Sequence, residues 1–263
     1  MKKYLFIYKT TMIESLQYVI NILLSFITFF MMLFVFLCLW RYLYSDPSNT
    51  INGYTMQQMI WYVIFTEILW FGSRNRTLTL QITTDIKSGT IAYGINKPYH
   101  YILYIIAKHL GEITLKMFLF IGAGLLIGFS FVGAIPNFQL LQLPFVLIST
   151  ILGIMINAFI RINISVLSFW IEDALPFQWI YDKLIIVIGM LFPVEMFPAW
   201  AQPVIRWSPI YVVTYGPAKL LIDYNSDVFL RVLSVQMIYF IVTLCLLLFM
   251  FQKGVKKLNV NGG

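Results

Sequence analysis

The chain has 263 residues, of which 60% are hydrophobic and 11% charged, with a formal net charge of +7. Soluble domains carry about 25% charged residues, so this chain lacks the polar groups to cover a water-facing surface and reads as an integral membrane protein. Its basic residues flank apolar stretches and are not grouped with stacking aromatics, which excludes nucleic acid as a partner and points to topology and anionic lipid.

Residues 1–18 open the chain with a basic, amphipathic stretch. At 100° per residue Leu5, Tyr8, Met12 and Leu16 share one face, and Lys3, Thr10, Glu14 and Gln17 the opposite one. This predicts an interfacial helix on the inner membrane surface. The uncharged run that follows, 15–40, is too long for a signal peptide and predicts a first spanning helix. Asp46-Pro47-Ser48-Asn49 breaks the chain. A second span is expected over about 56–73, carrying Glu67 and Trp70, with Arg74 and Arg76 at its exit.

The next segment, 74–112, holds the longest polar interval. Leu78, Ile82 and Ile86 have helical spacing, and Gly89 is suited to the left-handed turn that ends such a helix. Pro98 displaces Lys97 from helical angles and opens the helix through Ile102 and Ile105. Between them lies a short, half-apolar connector with Ile91, Tyr93 and Ile95. Lys108, His109, Glu112 and Lys116 belong to the interfacial approach of a third span. No charge occurs from Met117 to Ile160, a run that Gly133-Ala134-Ile135-Pro136-Asn137 divides into two spans.

Arg161 stands towards the end of the fourth span, where it either snorkels to the headgroups or pairs with Glu172 or Asp173. A loop is expected to reach Asp182 and Lys183, with a fifth span from about Leu184 to Pro193. The stretch 193–217 carries Pro193, Pro198, Pro203, Pro209 and Pro217 among Glu195, Phe197, Trp200, Trp207, Tyr211 and Tyr215. Prolines forbid one continuous helix and aromatics a freely solvated loop, so broken or re-entrant helices over 193–227 are predicted. A last span runs over about 228–251. With both termini cytosolic, the inner side of six spans holds fourteen of the eighteen Lys and Arg residues. The expected fold is an all-α, six-span membrane domain covering 1–263.

Chemistry is sparse. No Gly-x-x-x-x-Gly-Lys-Ser/Thr loop cradles a phosphate, His100 and His109 lack partners at metal spacing, and no nucleophile elbow occurs. No catalytic residue, metal site or cofactor is expected in this chain. Cys38 and Cys245 are expected at opposite ends of the membrane as unlinked packing residues. Glu67 has two readings: it lines a translocation path with Trp70, or it pairs with Arg74 two turns on.

Several stretches in this order resemble the bacterial type-2 ABC transporter permeases. They are Gly53-Tyr54-Thr55-Met56, the 85–98 connector, Phe169-Trp170-Ile171-Glu172-Asp173, Phe192-Pro193-Val194-Glu195-Met196-Phe197-Pro198-Ala199-Trp200, and the terminal Val260-Asn261-Gly262-Gly263. Ala174-Leu175-Pro176 departs from the pattern, which usually places glycine after the acidic pair. The resemblance implies an export subunit in the bacterial cytoplasmic membrane, paired with a second permease, identical or related. A separate ATP-binding-cassette subunit would dock below each, carrying the ATP and Mg. Docking would fall on Asp85, Ile86, Lys87, Ser88, Gly89, Thr90, Ile91, Tyr93, Lys97 and Pro98, with Ile91 and Tyr93 filling a pocket on the ATPase. The substrate would be amphipathic. An ion-coupled carrier or channel, and a non-transporting scaffold or sensor, are the alternatives.

Overall fold

The computed structural model describes residues 2–44, 46 and 49–258. Pro47 and Ser48 of the expected break, and Val260 to Gly263, lie outside the described residues. Among the described residues the chain is helical, with no strand beyond an isolated bridge between Ile51 and Tyr54.

Helix α1 (Lys2–Ser15) leads through a short 3₁₀ turn into α2 (Val19–Leu43). Helix α3 spans Met56–Ser73, α4 Arg76–Lys87, α5 Ile91–Ile95 and α6 Tyr101–Phe131. After α7 (Leu143–Val166), α8 (Leu175–Leu184) continues as a π-helical segment, Ile185–Leu191. A 3₁₀ turn (Val194–Met196), α9 (Gln202–Arg206), a second π-helical segment (Tyr211–Tyr215) and α10 (Gly216–Ile222) lead to α11 (Ser226–Val255).

Among the described residues four stretches are long and apolar enough to cross a membrane: Ile20–Leu43, Tyr101–Phe131, Leu140–Phe169 and Ser226–Val255. Phe34, Leu126 and Phe249 are among the many large apolar side chains that these helices turn outward. A water-soluble protein would bury them; here they face hydrocarbon. The chain is a multi-pass membrane protein. Helix α3 is shorter and carries Gln57, Gln58 and Glu67, yet most of it is buried in the protein.

Helix α3 is the central element. Thr55 and Gln58 close a capping box at its start. Gln57 donates to the carbonyls of Val132 and Ala134, and Trp61 Nε1 donates to that of Gly133 at 3.2 Å. These bonds pin the turn between α6 and α7 to the head of α3. Helices α3 and α6 approach closely because Gly128 lies under the Trp61 ring and Gly124 under Ile68, where a Cβ would clash.

The first helix forms as expected, and it packs on the protein through a face that includes small polar residues. Tyr8, Thr11 and Ser15 turn towards α6, with Tyr8 donating to Thr114 at 3.1 Å and Gly111 admitting the α1 backbone. Leu5 and Leu16, expected beside Tyr8, are exposed. The small Gly111 made a polar face of α1 the better fit. Cys38 and Cys245 are free, but both are exposed on the outer faces of their helices, so the packing role expected for them does not hold.

The helix expected from Leu184 begins nine residues earlier, at Leu175, and absorbs the predicted loop. Pro176 sits in its first turn, and the Asp173 carboxylate accepts from the Leu175 N–H at 3.0 Å. Ala174 is buried with φ −92°, an ordinary right-handed conformation that needs no glycine. The segment 193–217 is broken as predicted, into a 3₁₀ turn, the short α9, and a helical run from residue 209 that passes through the π-helical segment into α10.

Candidate functional site

Three constellations carry polar chemistry, and the surface connector comes first. Helix α4 ends at Ser88, and Gly89 follows with φ +75°, the left-handed conformation expected of it. Asp85, Ser88 and Thr90 build the turn: the Ser88 and Thr90 hydroxyls lie 2.8 Å apart, and Thr90 Oγ1 donates to Asp85 Oδ1 at 3.2 Å. The connector is itself helical over Ile91–Ile95, and the following helix starts at Tyr101, three residues past Pro98.

Its inner side is anchored. Ile86 and Ile91 are buried in a cluster with Ile82, Tyr101, Phe159 and Phe251, which brings α4, α5, α6, α7 and α11 together. Lys3 donates to the Pro98 carbonyl at 2.6 Å, and the Tyr4 hydroxyl accepts from the His100 N–H at 2.9 Å. Ile91 therefore seats the connector on its own chain and is not free to fill a pocket elsewhere, contrary to the sequence expectation. Tyr93 is 76% exposed, and Lys87, Ser88, Gly89, Thr90, Lys97 and Pro98 share that exposed surface. Lys87 lies 3.7 Å from Asp173. The connector thus joins one exposed aromatic ring, Tyr93, to a buried anchor that packs against α4, α6, α7 and α11.

The second constellation is buried between α3, α7 and α8. Asp182 receives both Arg74 (3.0 Å) and Arg161 (2.7 Å). The Arg74 contact has hydrogen-bond alignment; the Arg161 contact is close without it. Arg161 Nε donates to Asn157 Oδ1 at 3.2 Å, and Tyr181 donates to the same oxygen at 3.1 Å. The Trp70 ring lies between the two guanidiniums, 5.0 Å from Arg74 and 5.6 Å from Arg161. Arg161 thus neither snorkels nor pairs with Glu172 or Asp173: helix α8 brings Asp182 to it first. Arg74 is likewise taken by Asp182 and does not pair with Glu67. Glu67 is fully buried, and neither of its carboxylate oxygens has a hydrogen-bond partner among the described residues. Trp70 belongs to this cation cluster.

The third constellation ties the broken segment to α3. Glu195 accepts from the Tyr54 hydroxyl at 2.8 Å and from the Tyr215 hydroxyl at 2.5 Å. Burial, together with the nearby Glu195 carboxylate, holds the Tyr54 hydroxyl above the ordinary tyrosine range, so it remains a donor. Pro193 is buried, Pro209 half-buried, and Pro198, Trp200 and Pro203 are exposed. Irregular backbone is served by side chains from other helices: Tyr62 donates to the Gly189 carbonyl at 2.7 Å and Gln236 to that of Val212 at 2.9 Å. Asp182 and Tyr54 were missed as site residues. For Tyr54, the signal in the sequence was its place in the Gly53-Tyr54-Thr55-Met56 stretch.

A family model described as ABC-2 family transporter protein matches residues 29–262. No curated protein matches the chain.

Proposed function

The chain belongs to the ABC-2 transporter family, and from that premise we propose that it is the membrane half of an exporter driven by a separate ATP-binding-cassette subunit. In this reading α3 and the α8–π segment complete six spans, with both termini cytosolic in a bacterial cytoplasmic membrane. Two such permeases, identical or related, pair, and a cassette docks under each on the α4–α5 connector. ATP and Mg reside on the cassettes. Cassette closure pushes Tyr93 and its neighbours, and the buried Ile86–Ile91 anchor passes the push to α6, α7 and α11. An amphipathic substrate then leaves towards the outer surface.

One observation carries the reading. The connector is ordered and helical, is fixed from within by Ile91 and Tyr101, and presents Tyr93 outward. A plain solvated loop needs neither the anchor nor the exposed ring. The test is efflux of a fluorescent amphiphile from vesicles holding this chain with its cassette subunit, with ATP and without. ATP-dependent efflux that Tyr93→Ala weakens supports the reading. A fully assembled complex that moves no amphiphile reduces the chain to a non-transporting scaffold.

A further inference from the structure

A cavity of about 770 Å³ lies between α1, α2, the α3–α4 junction and α6. None of the three constellations above fills it. Its walls differ in character. Its charged lining is Arg74, Lys108 and Lys116 with the carboxylates Glu14 and Glu112, and its apolar lining includes Ile22, Phe71 and Phe120.

Two features show that the polar lining is built and not incidental. Helix α2 is the most apolar of the candidate spans, with a mean hydropathy of 2.8 in its window. Yet Asn21, Ser25 and Thr28, spaced i, i+4, i+7, put its polar side chains on one face, and all three line this cavity. Polar groups in a spanning helix are retained where they meet water, a partner or a ligand. Ser25 and Thr28 donate to the Asn21 and Leu24 carbonyls of their own helix, whereas the exposed Asn21 amide has no hydrogen bond among the described residues.

The second feature is Lys116. Arg74 is held by Asp182 at 3.0 Å. Lys108 donates to Gln81 Oε1 at 2.6 Å and lies 4.0 Å from Glu112. Glu112, the acid nearest Lys116 on the helix, also accepts from Asn75. Lys116 itself has no ion pair or hydrogen bond among the described residues, although it is half-buried on a spanning helix. Glu112, one turn before it, attracts this ammonium without coming within ion-pair distance, which leaves room for an anion in direct contact.

We propose that this cavity binds an amphiphile with an anionic head, the head on Lys116 with Asn21 and Ser25 beside it, and the tail along Ile22, Phe71 and Phe120. A zwitterionic head would bring a second cation against Arg74 and Lys108, so the site discriminates by net head charge. The topology proposed above serves only to place the site in the inner leaflet. Binding to it needs neither a cassette nor transport.

The experiment uses the purified full chain in detergent, given phosphatidylglycerol and phosphatidylcholine of matched tails in equal amounts, with bound lipid counted by native mass spectrometry. One charge-assisted contact predicts that phosphatidylglycerol is retained about tenfold over phosphatidylcholine. Lys116→Gln should bring the ratio close to one and Lys116→Arg should preserve it. Ser25→Leu, which fills the cavity without changing charge, should lower retention of phosphatidylglycerol, and it carries the test if Lys116→Gln does not fold. No head-group preference, or a preference that Lys116→Gln leaves intact, overturns the proposal. So does displacement of the lipid by millimolar inorganic phosphate, which would make the cavity a free-anion site. Each of these results leaves the permease reading untouched, because no transport is measured.

Discussion

Arg161 and Asp182 meet at 2.7 Å deep in the protein, where Arg161 is only 4% exposed. Asp182 is the single carboxylate serving two guanidiniums, since Arg74 reaches it from the end of α3. Removing one partner of a buried ion pair leaves an uncompensated charge and costs about 3–5 kcal/mol. Asp182→Asn should therefore lower the thermal unfolding midpoint of the purified protein sharply. Asp182→Asn combined with Arg161→Gln should recover part of the loss. Glu172→Gln, at an exposed position, should change little. A midpoint for Asp182→Asn equal to the parent's would mean that the cluster holds nothing together.

At the connector, shape should matter more than charge. Gly89 has φ +75° with open space around a would-be Cβ, so the penalty for Gly89→Val is one of backbone strain, about 1–2 kcal/mol. Removing the exposed Tyr93 ring deletes an apolar contact worth roughly 1.5–3 kcal/mol if a partner buries it. Both variants should insert normally, yet lower efflux and substrate-stimulated ATP hydrolysis together. Lys87→Ala should act like the parent, because its 3.7 Å pair with Asp173 is at the surface. Parent-like transport by both Gly89→Val and Tyr93→Ala would leave the connector a mere link.

Glu195 is held by two phenols, and hydrogen bonds to a charged group contribute about 1.5–3 kcal/mol each. Glu195→Ala should release the 193–217 segment from α3, seen as faster proteolytic cleavage near Pro198 with the rest of the fold intact. Tyr54→Phe, which removes one bond only, should show a smaller effect. Cleavage rates identical to the parent's in both variants would remove the tie proposed here.

Val204 is 70% exposed, beside the exposed Trp200 and Trp207. If that surface faces lipid, a cysteine at Val204 should label poorly with a membrane-impermeant thiol reagent in intact membranes and readily in denaturant. Ala201, half-buried in the core, should label poorly as well. Rapid labelling of both in membranes would make the segment a water-exposed loop.

The purified chain on its own should hydrolyse no ATP, having no phosphate-cradling loop in its sequence. The check is phosphate release by protein freed of any cassette subunit. Activity that follows this polypeptide through purification would refute the assignment.

The parts legible in the sequence were those governed by local chemistry. Gly89 stops α4, Arg74 stands at the exit of α3, and the prolines of 193–217 keep that stretch from forming one helix. What escaped depends on tertiary contact. Glu67 and Arg74 share a helical face by count, but Arg74 leaves the helix with ψ 125°, and its side chain departs towards α8. Asp182 lies 108 residues from Arg74, and nothing in its local surroundings marks it as a partner. Ile91 sits in a five-residue helix, too short for a period to reveal which side is buried. Apolar residues on spanning helices gave the same ambiguity at Cys38 and Cys245, because in a membrane both the inside and the outside of the bundle are apolar.

Helix α6 has 31 residues, about 46 Å at 1.5 Å per residue, against a hydrocarbon core of about 30 Å. It is a lever arm. Its near end carries Tyr101, on which α5 is seated, and its far end carries the turn clasped by Gln57 and Trp61. A tilt of about 10° about one end of such a rod sweeps the other by about 8 Å. Glycine contacts bind α6 to α1 at Gly111 and to α3 at Gly124 and Gly128, so a displacement of α6 would carry α1 and α3 with it. The backbone is irregular at Ile185–Leu191 and Tyr211–Tyr215, where Tyr62 and Gln236 hold the Gly189 and Val212 carbonyls, and a hinge for such a displacement would cost least there.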